Sequence, residues 1–177
     1  MAISIQIRGF DQLLATFDNL EEALVVDIDN ACRAKVYDIN ADASTFIQGA
    51  ALDNGELLQS QQVIEDPHNR SYSAVNTAPY AGYVHFGTGQ KVEIPQGWQD
   101  VAAEWKGKKG GTFSEFVQRM REWLGRHGGN PDKAYIVCVS ILTNGLEARP
   151  FLSVPFQKGV SELTKEVNDI VKSALRS

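Results

Sequence analysis

Residues 61–76 read QQVIEDPHNRSYSAVN, and the predicted fold class follows largely from them. The runs Gln61–Asp66 and Ser71–Asn76 look like two strands, and residues 67–70 between them are turn formers. Near the start of the chain, isoleucines at positions 3, 5 and 7 alternate with polar residues, which predicts another half-buried strand ending at Gly9. The sequence therefore predicts an antiparallel sheet of three to five strands.

Apolar residues at helical spacing predict helices on either side of this sheet. One short pattern covers residues 10–20, a longer one covers residues 21–51, and a last one begins where Ser153 and Pro155 suit a helix start. The buried stripe of the long helix is predicted to be Ile28, Cys32, Val36, Ile39, Ala43, Phe46, Ile47 and Ala50. The fold class is therefore α+β, with the sheet flanked by a long N-terminal helix and a C-terminal helix.

The bulk composition indicates an ordinary globular protein. A chain of 177 residues with 43% hydrophobic and 22% charged residues is expected to form a single domain, 1–177. No apolar run reaches the roughly 18 residues that a membrane span needs, so no membrane partner is expected. Cys32 and Cys138 lie in apolar patterns far apart, which favours two buried free thiols in a reducing cytoplasm over a disulfide.

The charge of the chain is unevenly distributed. The total is −5, but residues 1–66 hold three bases and twelve acids, a net charge of −9, whereas the remainder carries +4. Such a molecule can stack head-to-tail with copies of itself and close into a ring if the rotation allows it.

Residues 90–132 differ in composition from the rest of the chain and are predicted to be an insertion that lies on the scaffold. Residues 106–111 form a basic, glycine-rich loop, and Thr112 with Glu115 predicts a capping box that opens an amphipathic helix. The bases of residues 104–126 could contact phosphates or the acidic rim of a partner, but their net charge of +3 is small for a dedicated DNA-binding domain.

Two further stretches are rich in aromatic residues, small residues and turn formers. Residues 78–88 read APYAGYVHFGT, and residues 146–152 read LEARPFL. His85 is the most tempting catalytic residue, but the sequence offers it no nucleophile elbow, zinc-binding pair or second motif histidine. Pro150 disfavours a helical backbone at the preceding residue, Arg149. The Arg149 guanidinium could bind residues 78–88 of the same chain or contact another subunit.

The order and spacing of these two motifs resemble the neck and tail-completion family of tailed bacteriophages, the Z-type minor tail components that join head to tail. Family members carry a Pro-Tyr segment followed by Phe-Gly-Thr, then Ala-Arg-Pro-Phe-Leu opening a final helix. The family pattern also favours a helix over a strand for residues 134–142. Where the family often has an acid, this chain has His85, which weakens any assembly role for charge at that position.

The resemblance implies a virion structural protein without enzymatic activity, cofactor or metal, located at the head–tail junction and assembled in the host cytoplasm. It implies a homo-oligomeric ring, expected to be a hexamer, between head-completion or connector proteins and tail terminator or tail tube proteins. Genomic DNA would pass through without sequence-specific binding, and the acidic N-terminal region could line the channel. The predicted interface residues are Pro79, Tyr80, Tyr83, Phe86, Gly87, Arg149, Pro150 and Phe151. The alternatives are a tail terminator or capsid-associated minor protein and, in another class, a small cytoplasmic hydrolase using His85.

Overall fold

A computed structural model describes residues 3–7, 22–50, 55–106 and 112–174. The helical pattern predicted for residues 10–20 and most of the loop predicted for residues 106–111 lie outside the described residues. The fold is mixed α+β, as predicted, with one three-stranded antiparallel sheet and two long helices.

The sheet is built around the predicted hairpin. Strand β1 spans Ile3–Ile7, β2 spans Gln61–Asp66 and β3 spans Ser71–Asn76, and β3 lies in the middle. Ile3 and Gln61 both pair with Asn76, while Ile7 pairs with Tyr72. A 3-10 turn, Pro67–Asn69, connects β2 to β3, and the Asp66 carboxylate accepts hydrogen bonds from the Asn69 backbone and side chain at 3.3 and 2.7 Å. The hairpin and its turn are confirmed.

Two long helices pack against each other, and the first of them also covers the sheet. Helix α1 spans Glu22–Ala50, close to the predicted bounds, and its stripe is buried at Ile28, Cys32, Val36, Ile39, Ala43 and Ile47. The last helix of the chain, Ser153–Ala174, packs against α1 along its length. Gly159 allows a close approach to Ile39, because a Cβ at position 159 would lie 2.5 Å from Ile39 Cγ1.

Ion pairs on the helix surfaces engage several acids of the predicted acidic region. Lys158 Nζ lies 2.8 Å from Asp42, and Lys35 Nζ contacts both Asp38 and Glu162 at 3.3 and 3.2 Å. The Tyr72 hydroxyl also lies 2.9 Å from Asp29, to which it donates. The acidic character of α1 is therefore partly neutralised within the chain.

The remaining elements are short helices and a helical hairpin. Helix α2 spans Glu56–Gln59, α3 spans Ala81–Phe86 and α4 spans Gln99–Ala103. Helix α5 spans Phe113–Arg126 and α6 spans Ala134–Asn144, so that the last helix, Ser153–Ala174, is α7. Further 3-10 turns lie at Gly89–Lys91 and Pro131–Lys133. The helical alternative for residues 134–142 is confirmed.

The capping box predicted for α5 is present. The Glu115 backbone N–H donates to Thr112 Oγ1 at 3.3 Å, and the Thr112 N–H donates to the Glu115 carboxylate at 2.7 Å. Helix α5 packs against α6, and the pair forms a hairpin that meets the rest of the protein through the 3-10 turn at Gly89–Lys91. Although amphipathic, α5 has no fully buried residue.

The predicted insertion, 90–132, is not uniform in the structure. Trp98, Ala102 and Trp105 are buried in the main core. The α5–α6 hairpin, in contrast, contributes no residue to that core cluster and extends beyond residue 132, so the insertion at 90–132 stays a prediction.

Both cysteines are buried and unpaired, as predicted. Burial, with a smaller contribution from Asp29, raises the pKa of the Cys32 thiol to about 11. Within the parts of the chain that the structure describes, no helix combines the length and the apolar character that crossing a membrane requires.

Candidate functional site

The first motif, residues 78–88, follows β3 and is held in place by Asn76, the last residue of that strand. The buried side chain of Asn76 donates to the Leu57 carbonyl at 2.7 Å and to the Gln61 side chain at 3.0 Å. Its oxygen accepts the Ala78 backbone N–H at 3.1 Å. Asn76 thereby ties α2, β2 and residues 78–88 together, and it satisfies its own buried polar atoms.

The two motifs meet in one hydrogen-bonded unit, the motif junction, formed by residues 84–88 and 145–152. The Arg149 N–H donates to the Val84 carbonyl at 2.8 Å, and the Thr88 N–H donates to the Leu146 carbonyl at 2.9 Å. In return the Leu146 N–H donates to Thr88 Oγ1 at 2.7 Å. Segments about sixty residues apart in sequence are thus held in a fixed register.

Two glycines allow the backbones at the motif junction to approach so closely. Gly87 has φ +75° and Gly145 has φ +82°, a region that favours glycine. A Cβ at Gly87 would collide with the Lys91 carbonyl oxygen, and one at Gly145 would collide with the Thr88 carbonyl oxygen. Any side chain at either position would push the two motifs apart.

His85 lies at the centre of the motif junction and is completely buried. Its ring stacks on Trp98 at 5.1 Å and meets the edges of Phe86 and Phe151 at 4.6 and 5.1 Å. Nδ1 accepts the Leu152 N–H at 3.4 Å, which places the ring proton on Nε2, and Nε2 has no hydrogen-bond partner among the described residues. Burial lowers the pKa of His85 to about 3, so the imidazole is neutral across the physiological range.

Trp105 closes the other side of helix α3. Its ring lies edge-on to Tyr83 at 5.5 Å and directly over Gly82, where a Cβ would overlap the indole. Only glycine at position 82 lets the tryptophan pack against the backbone of α3. Sequence reasoning missed Trp98 and Trp105 because they fall in the range taken for an insertion.

The predicted interface residues divide into three groups by exposure. Phe86, Gly87 and Phe151 are buried, so in a single chain they can shape an interface only through the segments that they support. The half-buried residues are Tyr80, Tyr83 and Pro150, and the exposed ones are Pro79 and Arg149.

Arg149 contributes to the motif junction through its main chain. Its backbone N–H holds the first motif by donating to the Val84 carbonyl. The residue itself is exposed, which leaves its side chain at the surface of the motif junction. The intersubunit role stays a prediction.

A large apolar groove runs between the α5–α6 hairpin and helix α3. This hairpin groove has a volume of about 1000 Å³, and Tyr80 and Tyr83 line its body side. Phe116, Met120 and Trp123 of α5 line the opposite side. A neighbouring cavity of about 460 Å³ shares several lining residues with it and reaches Ile47 and Leu57 in the main core. The amphipathic face of α5 is therefore turned towards this groove without filling it.

The outer face of α6 is apolar and open. Tyr135, Ile136 and Leu142 are 60%, 68% and 65% exposed, and Val139 is also exposed. Exposed apolar patches on a protein surface often mark interaction sites.

The described residues contain no group of three or more His, Cys, Asp or Glu side chains that could hold a metal ion. Comparisons of the chain with protein-family models, with curated proteins and with solved structures find no match.

Proposed function

We propose that this chain is a structural protein of the head–tail junction of a tailed phage, a neck or tail-completion component that forms a ring, of six copies, through which DNA passes. The observation that carries the proposal is the motif junction. The two motifs on which the family resemblance rests are interlocked by two backbone–backbone hydrogen bonds, by a third from the Leu146 N–H to Thr88 Oγ1, and by two glycines with positive φ. Arg149 is exposed within this junction, and Pro79 is exposed in the first motif just before it.

The chemistry of the junction supports a mechanical role over a catalytic one. A general base must reach the proton that it abstracts and must have a pKa near the working pH. His85 is enclosed by three aromatic rings, and its pKa is lowered to about 3. We therefore do not propose the hydrolase.

The surfaces of the chain suit assembly with copies of itself and with adjoining layers. The outer face of α6 offers an apolar patch, and charge is segregated between residues 1–66 and the rest of the chain. Segregated charge and apolar patches favour heterologous, ring-forming contacts. A tail terminator or capsid-associated minor protein would use the same surfaces and would differ in its neighbours.

The ion pairs of α1 bear on the proposed acidic channel wall. Asp38 and Asp42 are engaged by lysines of the same chain, whereas Glu22 and Asp27 are exposed near the start of the helix. If this region lines the bore, its N-terminal end contributes the repulsion that keeps phosphates from binding.

The test is to find the chain in purified particles of the phage that encodes it. We expect a map of the intact virion to contain a ring of this chain between head and tail, and a null mutant to accumulate full heads and separate tails. A matched complementation with wild-type chain should restore joining. A null mutant that yields normal infectious particles would rule the proposal out.

A further inference from the structure

The hairpin groove has one apolar wall on helix α5. Phe116, Met120 and Trp123 lie at positions i, i+4 and i+7, so they form a single stripe along the helix, the α5 stripe. Tyr80 and Tyr83 line the opposite wall, on the body of the protein. A groove between two such walls has the form that receives the apolar face of one helix.

Helix α6 carries an apolar stripe of the same spacing on its open side. Tyr135, Val139 and Leu142, the α6 stripe, also lie at positions i, i+4 and i+7, and all three are exposed. Seven residues of helix rise about 10 Å, so the two stripes have the same length. The α6 stripe of one molecule can therefore lie along the α5 stripe of another, with three apolar side chains facing three.

The α6 stripe is not covered by the contacts that α6 makes within its own chain. Ala134 and Cys138, on another side of α6, are completely buried, and α6 packs against α5. The α6 stripe stays exposed while these contacts are made. Its surface is therefore open to a second molecule.

The charges of the two surfaces favour a second copy of the chain as the partner. Helix α6, residues 134–144, contains no charged residue. The lining of the groove contains charges of both signs, the acids Glu56, Glu115 and Glu122 and the bases Arg119 and Arg126. An uncharged helix enters such a groove without placing like charges together and without burying a charge of its own. Every copy of the chain offers this helix and the groove together.

The area of the contact indicates how the two copies pair. The exposed apolar side chains of α6 present on the order of 300 Å², so one helix in one groove buries roughly 600 Å² over both sides. Stable pairs bury at least about 1,200 Å² in total. Two copies that each give a helix and receive one reach roughly this value, whereas a single contact does not.

We propose that two copies of the free chain associate reciprocally, with the α6 stripe of each copy lying in the hairpin groove of the other. Leu142 belongs to the α6 stripe and also lines the groove, so the two surfaces are neighbours on one molecule. A two-fold axis can therefore bring both contacts together at once. The inference goes beyond the proposed function, because it concerns the free chain and does not require a head–tail joint.

A charge placed in the α6 stripe tests the association. Sedimentation of the wild-type chain at several concentrations should show a monomer–dimer equilibrium. Val139→Glu should raise its Kd at least about tenfold, because the contact would bury a carboxylate. The matched control, Val154→Glu, changes an exposed valine of α7 and should leave the Kd unchanged. A wild-type chain that stays monomeric throughout, or equal Kd values for the two variants, would overturn the inference.

A disulfide crosslink identifies the two surfaces. In Val139→Cys/Met120→Cys, the centre of each stripe carries a thiol, and oxidation of the purified protein should give covalent dimers on non-reducing gels. The matched control, Ser140→Cys/Met120→Cys, moves one thiol about 100° round α6 and should give few dimers. Cys32 and Cys138 remain in both variants, where they are buried. Equal dimer yields, or bridges within one chain only, would contradict the reciprocal contact.

The outcomes separate this inference from the proposed function. Crosslinked dimers of the free chain, together with a null mutant that yields normal particles, would leave the inference standing and end the proposed function. A ring of this chain in the virion, together with a free chain that gives no Val139→Cys/Met120→Cys dimer, would do the reverse. In that case the α6 stripe would belong to a contact with another virion protein.

Discussion

Acidification should destabilise the protein in part through one buried group, His85. The ring is completely buried among Trp98, Phe86 and Phe151 and has a pKa of about 3 in the folded chain, against the ordinary value of 6.5 in the unfolded chain. The unfolded state therefore binds the proton first, and stability is complete above about pH 6.5 and falls as the pH drops towards 3.

The size of the effect follows from these two pKa values. Each pH unit between them costs about 1.4 kcal/mol, so moving from pH 7 to pH 4.5 should remove about 2.5 kcal/mol from the free energy of unfolding. A typical domain has only about 5–15 kcal/mol of stability, so this loss is easily measured.

The variant His85→Phe isolates this contribution. It keeps an aromatic ring in the cage and removes the titrating group, while the Leu152 N–H loses its 3.4 Å acceptor. At pH 7 we expect the variant to lie within about 1–2 kcal/mol of wild type, because the unpartnered Nε2–H also disappears.

Urea unfolding at several pH values, followed by tryptophan fluorescence, measures the difference. Carboxylates whose pKa is lowered, such as Glu65 and Asp66, lose stability on acidification in both proteins and cancel in the comparison. Between pH 7 and pH 4.5, the free energy of unfolding of wild type should fall by about 2.5 kcal/mol relative to that of the variant. Parallel pH profiles would refute the assignment of a neutral, buried imidazole.

Three further changes probe packing, the motif junction and the surface. Gly159→Ala should lower the free energy of unfolding by about 1–3 kcal/mol, because the new methyl group meets the facing isoleucine of α1. The control Gly49→Ala, where a Cβ meets nothing within 4 Å, should instead raise the free energy of unfolding by up to about 1 kcal/mol. Equal effects of the two variants in thermal or denaturant unfolding would contradict the close helix contact. Thr88→Val should lower the free energy of unfolding by about 1–3 kcal/mol, because the Leu146 N–H loses its acceptor, and the Leu146 amide should exchange its hydrogen faster. Unchanged stability would contradict this role of Thr88. Arg149→Ala keeps the backbone N–H that holds Val84 and should impair head–tail joining, so a wild-type particle yield would count against a role for the side chain in assembly.

Most of the fold could be predicted because its elements carry strong local signals. The alternation of β1, the hairpin of β2 and β3, and the stripe of α1 each place apolar residues at one period only, and the capping box marks the start of α5. The role of residues 98–105 could not be predicted in this way. Trp98, Ala102 and Trp105 do have helical spacing, but so short a pattern does not show where the segment packs, and only contacts with α3, distant in sequence, place it in the core.

The candidate site shows a second limit of sequence reasoning, which is clearest at Arg149. The sequence raised two roles for the guanidinium, whereas the contact that holds Val84 is made by the backbone N–H of this exposed residue. A pattern of residue types cannot separate backbone from side-chain use. The Arg149 N–H donates to the Val84 carbonyl of α3 at 2.8 Å, and the same helix carries His85, whose ring contacts Phe151. Because protonation of His85 should weaken this aromatic packing, we expect acid also to weaken the contacts that hold the Arg149 backbone in place.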